Sequence, residues 1–99
     1  MKIAFLVYHD VLDDRIINFL DELKIDSYVK WENVLGKSHD AAAHLGTRTF
    51  PGHDSVRLVP FQNEEKLTQL ITVIQDFNKQ AVKKDDEIRL YLIPLERVV

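Results

Sequence analysis

Cysteine is absent from this chain. Disulfide staples, thiolate metal sites and thiol nucleophiles are thereby excluded, and the composition fits a reducing compartment. Glycine and proline are scarce, three of each in 99 residues, too few for a disordered or low-complexity segment. Neither sign of charge dominates: 13 Lys and Arg stand against 16 Asp and Glu, a net charge of −3. The cations are scattered, without the basic stripe that nucleic acid requires. The longest apolar run, 3–8, has the length of a strand, far short of the roughly 20 residues of a membrane span. It also lacks a secretory cleavage pattern. The expectation is a cytoplasmic protein of one domain, 1–99, with no nucleic-acid partner and no direct membrane insertion.

What is present alternates between two periodicities. Ile3 to Tyr8 reads as a strand, and Asp13 and Asp14 suit a helix N-terminus. Ile16, Ile17, Leu20 and Leu23 follow at one-face helical spacing. A second strand is expected over 28–34, ending at Gly36, and a third over 55–61. Asn63 is placed to cap a second helix, whose stripe is Leu67, Leu70, Ile71, Ile74 and Phe77. A fourth strand over 88–93 stops at Pro94. Between strands 2 and 3 lies a long loop, 37–54, with little periodicity and one helical turn near 40–44; loops of this length are usually functional.

The order β-α-β-β-α-β is that of an α+β, ferredoxin-like fold. It predicts an antiparallel four-stranded sheet in the order 4-1-3-2, with both helices on one face. Strand 1 is apolar on both faces, through Ile3, Phe5 and Val7 on one and Ala4, Leu6 and Tyr8 on the other. Two helices cover one face only, so the second calls for a further copy of the chain, and a homo-oligomer is expected.

The same topology brings chemistry to one end of the sheet. His9 and Asp10 leave strand 1 beside His53 and Asp54, and beside Asp85, Asp86 and Glu87. The loop adds His39 and His44, so all four histidines gather there. Three of them precede an aspartate: His9-Asp10, His39-Asp40 and His53-Asp54. Imidazole with carboxylate is a ligand set for zinc, copper or nickel, which makes His9, His39, His44 and His53 candidate metal ligands. The competing reading is that they are solvated loop histidines. Gly36-Lys37-Ser38 offers a backbone amide and a cation to an anion, without the upstream glycine of a P-loop. No serine or threonine sits in a nucleophile elbow, so a non-enzymatic protein is expected.

Short motifs carry a family resemblance. Val34-Leu35-Gly36-Lys37-Ser38, Leu45-Gly46-Thr47, Phe50-Pro51-Gly52 and the closing Tyr91-Leu92-Ile93-Pro94-Leu95-Glu96 resemble the nitrogen-regulatory PII signalling family, especially its small PII-like members. The resemblance implies a homotrimer of ferredoxin-like subunits that binds ligands in clefts between subunits. It implies a regulatory loop at 37–54 that engages a partner such as a membrane transporter or a metabolic enzyme. Gly36 and Lys37 match the loop base where adenine nucleotides bind in typical members. Where those members have a glycine-rich basic turn, this chain has Lys83-Lys84-Asp85-Asp86-Glu87, and its loop has no tyrosine to modify. Related PII-like and CutA proteins are linked to divalent metals. The expected ligand is therefore a divalent transition metal ahead of ATP or ADP. An adenine-nucleotide signal transducer and a ligand-free structural trimer are the alternatives.

Overall fold

The continuous apolar run at the N-terminus becomes the interior of a sheet because it is paired on both sides. In the computed structural model, which describes residues 1–37, 39 and 41–99 and only the backbone of Asp85, β1 (Lys2–His9) runs antiparallel to both β3 (Asp54–Phe61) and β4 (Arg89–Pro94). β2 (Val29–Val34) pairs with the outer side of β3, giving the order β2-β3-β1-β4. This is the expected 4-1-3-2 arrangement. α1 (Asp13–Glu22) follows a 3-10 turn at Asp10–Leu12, and α2 (Glu64–Lys79) links β3 to β4.

Local chemistry sets the element ends. The Asn63 side chain accepts a hydrogen bond from the Glu65 amide at 2.8 Å, capping α2 as its sequence predicts. α1 ends where Lys24 enters the left-handed region at φ 57°, which lets the Ile25 amide reach back to the Leu20 carbonyl at 2.8 Å. The Asn78 carboxamide donates to the Ile88 carbonyl and accepts from its amide, both at 2.8 Å, tying the end of α2 to the start of β4.

Both helices pack on the face of β1 that carries Ala4, Leu6 and Tyr8, each at most 1% exposed. Ile16 and Leu20 of α1 and Leu67, Leu70 and Ile74 of α2 complete that core, and Phe19 meets Phe77 edge-to-face at 5.9 Å. Residues directly opposite in an antiparallel ladder share a face. The register therefore puts Val56 and Leu58 of β3, Val29 and Trp31 of β2, and Tyr91 and Ile93 of β4 with Ile3, Phe5 and Val7 on the other face. That face is apolar from edge to edge and, among the described residues, carries no helix; Val29, Trp31, Tyr91 and Ile93 are 45–52% exposed.

The long loop departs from expectation in one respect. The described residues 41–44 form no helical turn. Instead His44 and Gly36 make an antiparallel bridge, with paired backbone hydrogen bonds of 2.9 and 2.7 Å. The loop is thus split at His44 into two smaller closures. No helix among the described residues is long and apolar enough to cross a membrane.

Candidate functional site

Asp54 begins β3 opposite His9 of β1, at the end of the uncovered face. It is a buried carboxylate, 2% exposed. Taking such a charge out of water is costly unless donors and cations surround it. His44 and Arg89 meet that need. His44 Nδ1 lies 2.6 Å from Asp54 Oδ1. Since an ionised carboxylate only accepts, Nδ1 is the donor. Arg89 Nη2 lies 3.6 Å from Oδ2. Gly36 packs against the same carboxylate, so closely that a Cβ at that position would overlap its oxygen. A bare backbone is required there because the Gly36–His44 bridge lies directly against the buried acid.

The other two glycines of the chain meet histidines in the same way. Gly46, at φ 65°, leaves no room for a Cβ beside the His53 ring, and Gly52, at φ 84°, lies against His9 and His44. His9 and His44 stack, with ring centroids 4.1 Å apart and planes 16° from parallel. His9 Nε2 also approaches Asp10 Oδ1 at 3.4 Å, and the Asp10 amide donates to the His53 carbonyl at 3.0 Å. The expected gathering at one sheet end is therefore present for these residues.

Beside this cluster opens a cleft of about 290 Å³. Its walls include Tyr8, His9, Gly36, His39, His44, Asp54, Lys84, Glu87 and Arg89. Of the candidate ligands, His9, His39 and His44 line it, whereas His53 lies outside it against Gly46. Gly36 lines it, and Lys37 is exposed outside it. Asp40 and Ser38 lie outside the described residues, as does the side chain of Asp85. Among the described residues no group of three His, Asp or Glu side chains is arranged to hold a metal ion. Rings stacked face to face, as His9 and His44 are, direct their in-plane nitrogen lone pairs side by side and not onto one centre.

Of the two cations that line this cleft, Lys84 belongs to the turn that replaces the family's glycine-rich basic one, whereas Arg89 carries no motif in the sequence. Lys84 sits in a 3-10 turn at Lys84–Asp86, within 4.0 Å of Glu87. Arg89 stands as a single charge within an apolar strand, opposite Val7 and next to the His9–Asp54 pair. A charge breaking such a run was the available signal.

A second polar cluster lies on the helix-covered side. Tyr8 Oη donates to Asp13 at 2.7 Å and accepts from Arg57 Nε at 2.9 Å. Ser55 and Lys30 also reach Asp13, each at 3.2 Å. Burial pushes the Tyr8 phenol well above the usual tyrosine range; the Arg57 hydrogen bond pulls the other way and Asp13 adds to the rise. Burial opposes the Arg57 charge, but hydrogen bonding to Tyr8 prevails and the guanidinium is held more firmly protonated than usual.

No family model matches the sequence, and no curated protein matches it. The fold does recur among solved structures. CPII, a nitrogen regulatory PII-like protein from Thiomonas intermedia K12, bound to ADP and bicarbonate, aligns with a TM-score of 0.69 at 16% identity over 97% of this chain and 88% of that chain. Bound to ADP, AMP and bicarbonate, CPII aligns at 0.70 and 15% identity, with the same coverage. A Thermus thermophilus protein assigned to PII-like signalling aligns at 0.59 and 12% identity, over 92% of this chain and 82% of that one. The chain thus has the ferredoxin-like fold of PII-like regulatory proteins, in keeping with the motifs in its sequence.

Proposed function

We propose that this protein is a PII-like, non-catalytic regulator that binds an adenine nucleotide at the Gly36–Arg89 cleft and signals through its 37–54 loop. The carrying observation is the cleft itself. Lys84, Arg89 and His39 line it, and each of its two acids already faces a cation: Asp54 is matched by His44 and Arg89, and Glu87 stands 4.0 Å from Lys84. Such a lining suits an anion better than a divalent cation. Nucleotide binding by CPII, which shares the fold, supports the same choice over the metal expected from the histidines.

The cleft also borders the uncovered sheet face, since His9, Asp54 and Arg89 continue the face of Val7 and Val56. Packing of further copies on that face, as a homotrimer, would put the cleft at a seam where a neighbour adds to the nucleotide site. Titration calorimetry with ADP, ATP and AMP, with and without bicarbonate, tests the reading. Binding is expected, weakened at least about tenfold in Lys84→Ala and Arg89→Ala, in keeping with loss of a charge-assisted contact. Absence of heat with all three nucleotides would overturn it. Native mass spectrometry tests the assembly: the wild type should be trimeric, and Phe5→Glu, which puts a charge in the middle of the apolar face, monomeric.

A further inference from the structure

Four stretches of chain converge on the Asp54 side chain. Its own backbone belongs to β3, and Gly36, at the base of the loop, packs on the carboxylate. His44 donates to one oxygen from within the loop. Arg89 faces the other from the first residue of β4, with a side chain 38% exposed at the cleft. The two arms differ in strength. A buried contact of 2.6 Å is a short, charge-assisted hydrogen bond, whereas 3.6 Å is a looser ion pair that a competing anion can displace.

His44 in turn holds both ends of a distinct finger, residues 45–52. Its backbone bridges Gly36 immediately before the finger begins. The finger closes through Gly46 N to Gly52 O at 2.9 Å, and through Leu45 N and Thr47 N to Phe50 O at 3.1 and 3.0 Å. It presents Phe50, 45% exposed. At its far end Gly52 returns against the His9–His44 stack, where an added Cβ would lie 2.8 Å from His9 Nε2 and 3.7 Å from His44 Cδ2. Any change in the setting of the His44 ring is therefore felt where the finger leaves the loop base and where it comes back.

We propose that Asp54 is a positioning residue that couples the cleft to this finger: an anion that draws Arg89 away leaves Asp54 to His44, tightens that contact and stiffens residues 45–52. The inference rests on the anion-binding reading of the cleft and names the route by which occupancy reaches the loop. Asp54 acts through Arg89 and His44. Its role is to make the two walls compete for one buried charge, so that what happens at one wall is registered at the other.

Hydrogen exchange on the full-length protein separates this from a merely structural role. Arg89→Gln removes the competing cation without ligand, so it should slow exchange of the Gly36, His44 and Gly46 amides about fivefold, with α2 amides as the internal reference. Arg89→Lys, which keeps the charge, should behave like the wild type. In Asp54→Asn the same amides should exchange faster, and adding Arg89→Gln should change nothing more, the non-additivity expected of residues acting through one another. Slowing that occurs equally in both backgrounds, or no slowing at all, overturns the coupling. Should Asp54→Asn fail to fold, the contrast of Arg89→Gln with Arg89→Lys still decides, since equal exchange in the two overturns it. ADP is then added to the wild type. If ADP does not bind while the Asp54-dependent slowing holds, the nucleotide reading falls and the coupling stands. If ADP binds while Arg89→Gln leaves the finger unaffected, the coupling falls and the nucleotide reading stands.

Discussion

Asp13 and Asp54 are answered by similar chemistry on opposite faces of one sheet, and the origin of their partners sets them apart. Asp13 is met by Tyr8 of β1, Ser55 of β3 and Lys30 of β2, residues of three adjacent strands whose positions the ladder fixes. It also stands in the first turn of α1, where the helix dipole favours a carboxylate. Asp54 is the more buried of the two, yet its partners come from a loop and from the first residue of an edge strand. A carboxylate held by neighbouring strands staples a fold. One held by segments that can move independently can report on what those segments bind.

Arg57 offers the strongest way to break that contrast. It is 1% exposed, its Nε is spent on Tyr8, its guanidinium stacks 4.7 Å over the Tyr28 ring, and its buried Nη1 has no hydrogen-bond partner among the described residues. Arg57→Ala should cost about 3–5 kcal/mol in urea unfolding at fixed protomer concentration, the scale for removing one partner of a buried charged network. Asp54→Asn should cost less, about 1–3 kcal/mol, because Arg89 is left at a cleft where water can solvate it. Equal losses, or a larger loss at Asp54, would show that the Asp54 cluster is the structural staple.

Tyr8→Phe sharpens the comparison through pH. Its phenol is raised in the folded protein, so above the ordinary tyrosine range the unfolded chain loses its proton while the folded one keeps it. Stability from this group is complete below about pH 10 and is lost as the pH rises through the folded value. The variant should be about 1–2 kcal/mol less stable at neutral pH, through the unpaired Arg57 Nε and Asp13, and should show a shallower alkaline decline. An unchanged alkaline slope would mean that Tyr8 is not the titrating group.

Much of this was open to inspection in the sequence. Strand order, both helices, the Asn63 cap and the apolar second face follow from periodicity and right-handed crossovers. The gathering of His9, His44 and His53 at one sheet end follows from strand direction alone. What it gathers for did not follow. His9 and His44 are equally compatible with chelation and with stacking until the His44–Asp54 contact and the ring stack are seen. Nor does spacing tell that Arg57 faces the helices while Arg89 faces the cleft; each is one charge in an apolar strand, and only pairing register separates them. The Asp13 network was hidden for a related reason. An acid at a helix start is already explained by the dipole, so nothing prompts a search for its strand partners.

Gly52→Ala should cost no more than Tyr8→Phe, and it tests whether the two clusters are independent. At φ 84° an alanine would be strained by about 1–2 kcal/mol, and its Cβ would press on His9 Nε2 at 2.8 Å. The His9 ring can tilt by pivoting about its own χ angles, so the strain should be relieved at the expense of the His9–His44 stack. Two readouts follow. The urea midpoint should fall by the amount that strain alone implies, and the ring-proton NMR shifts of both histidines should change as their overlap is lost. The alkaline behaviour set by Tyr8 should stay as in the wild type, because the Asp13 partners sit on the covered face, away from Gly52. Were the alkaline decline to move along with the histidine shifts, β1 would be transmitting strain from His9 to Tyr8, and the two carboxylates would be parts of one network.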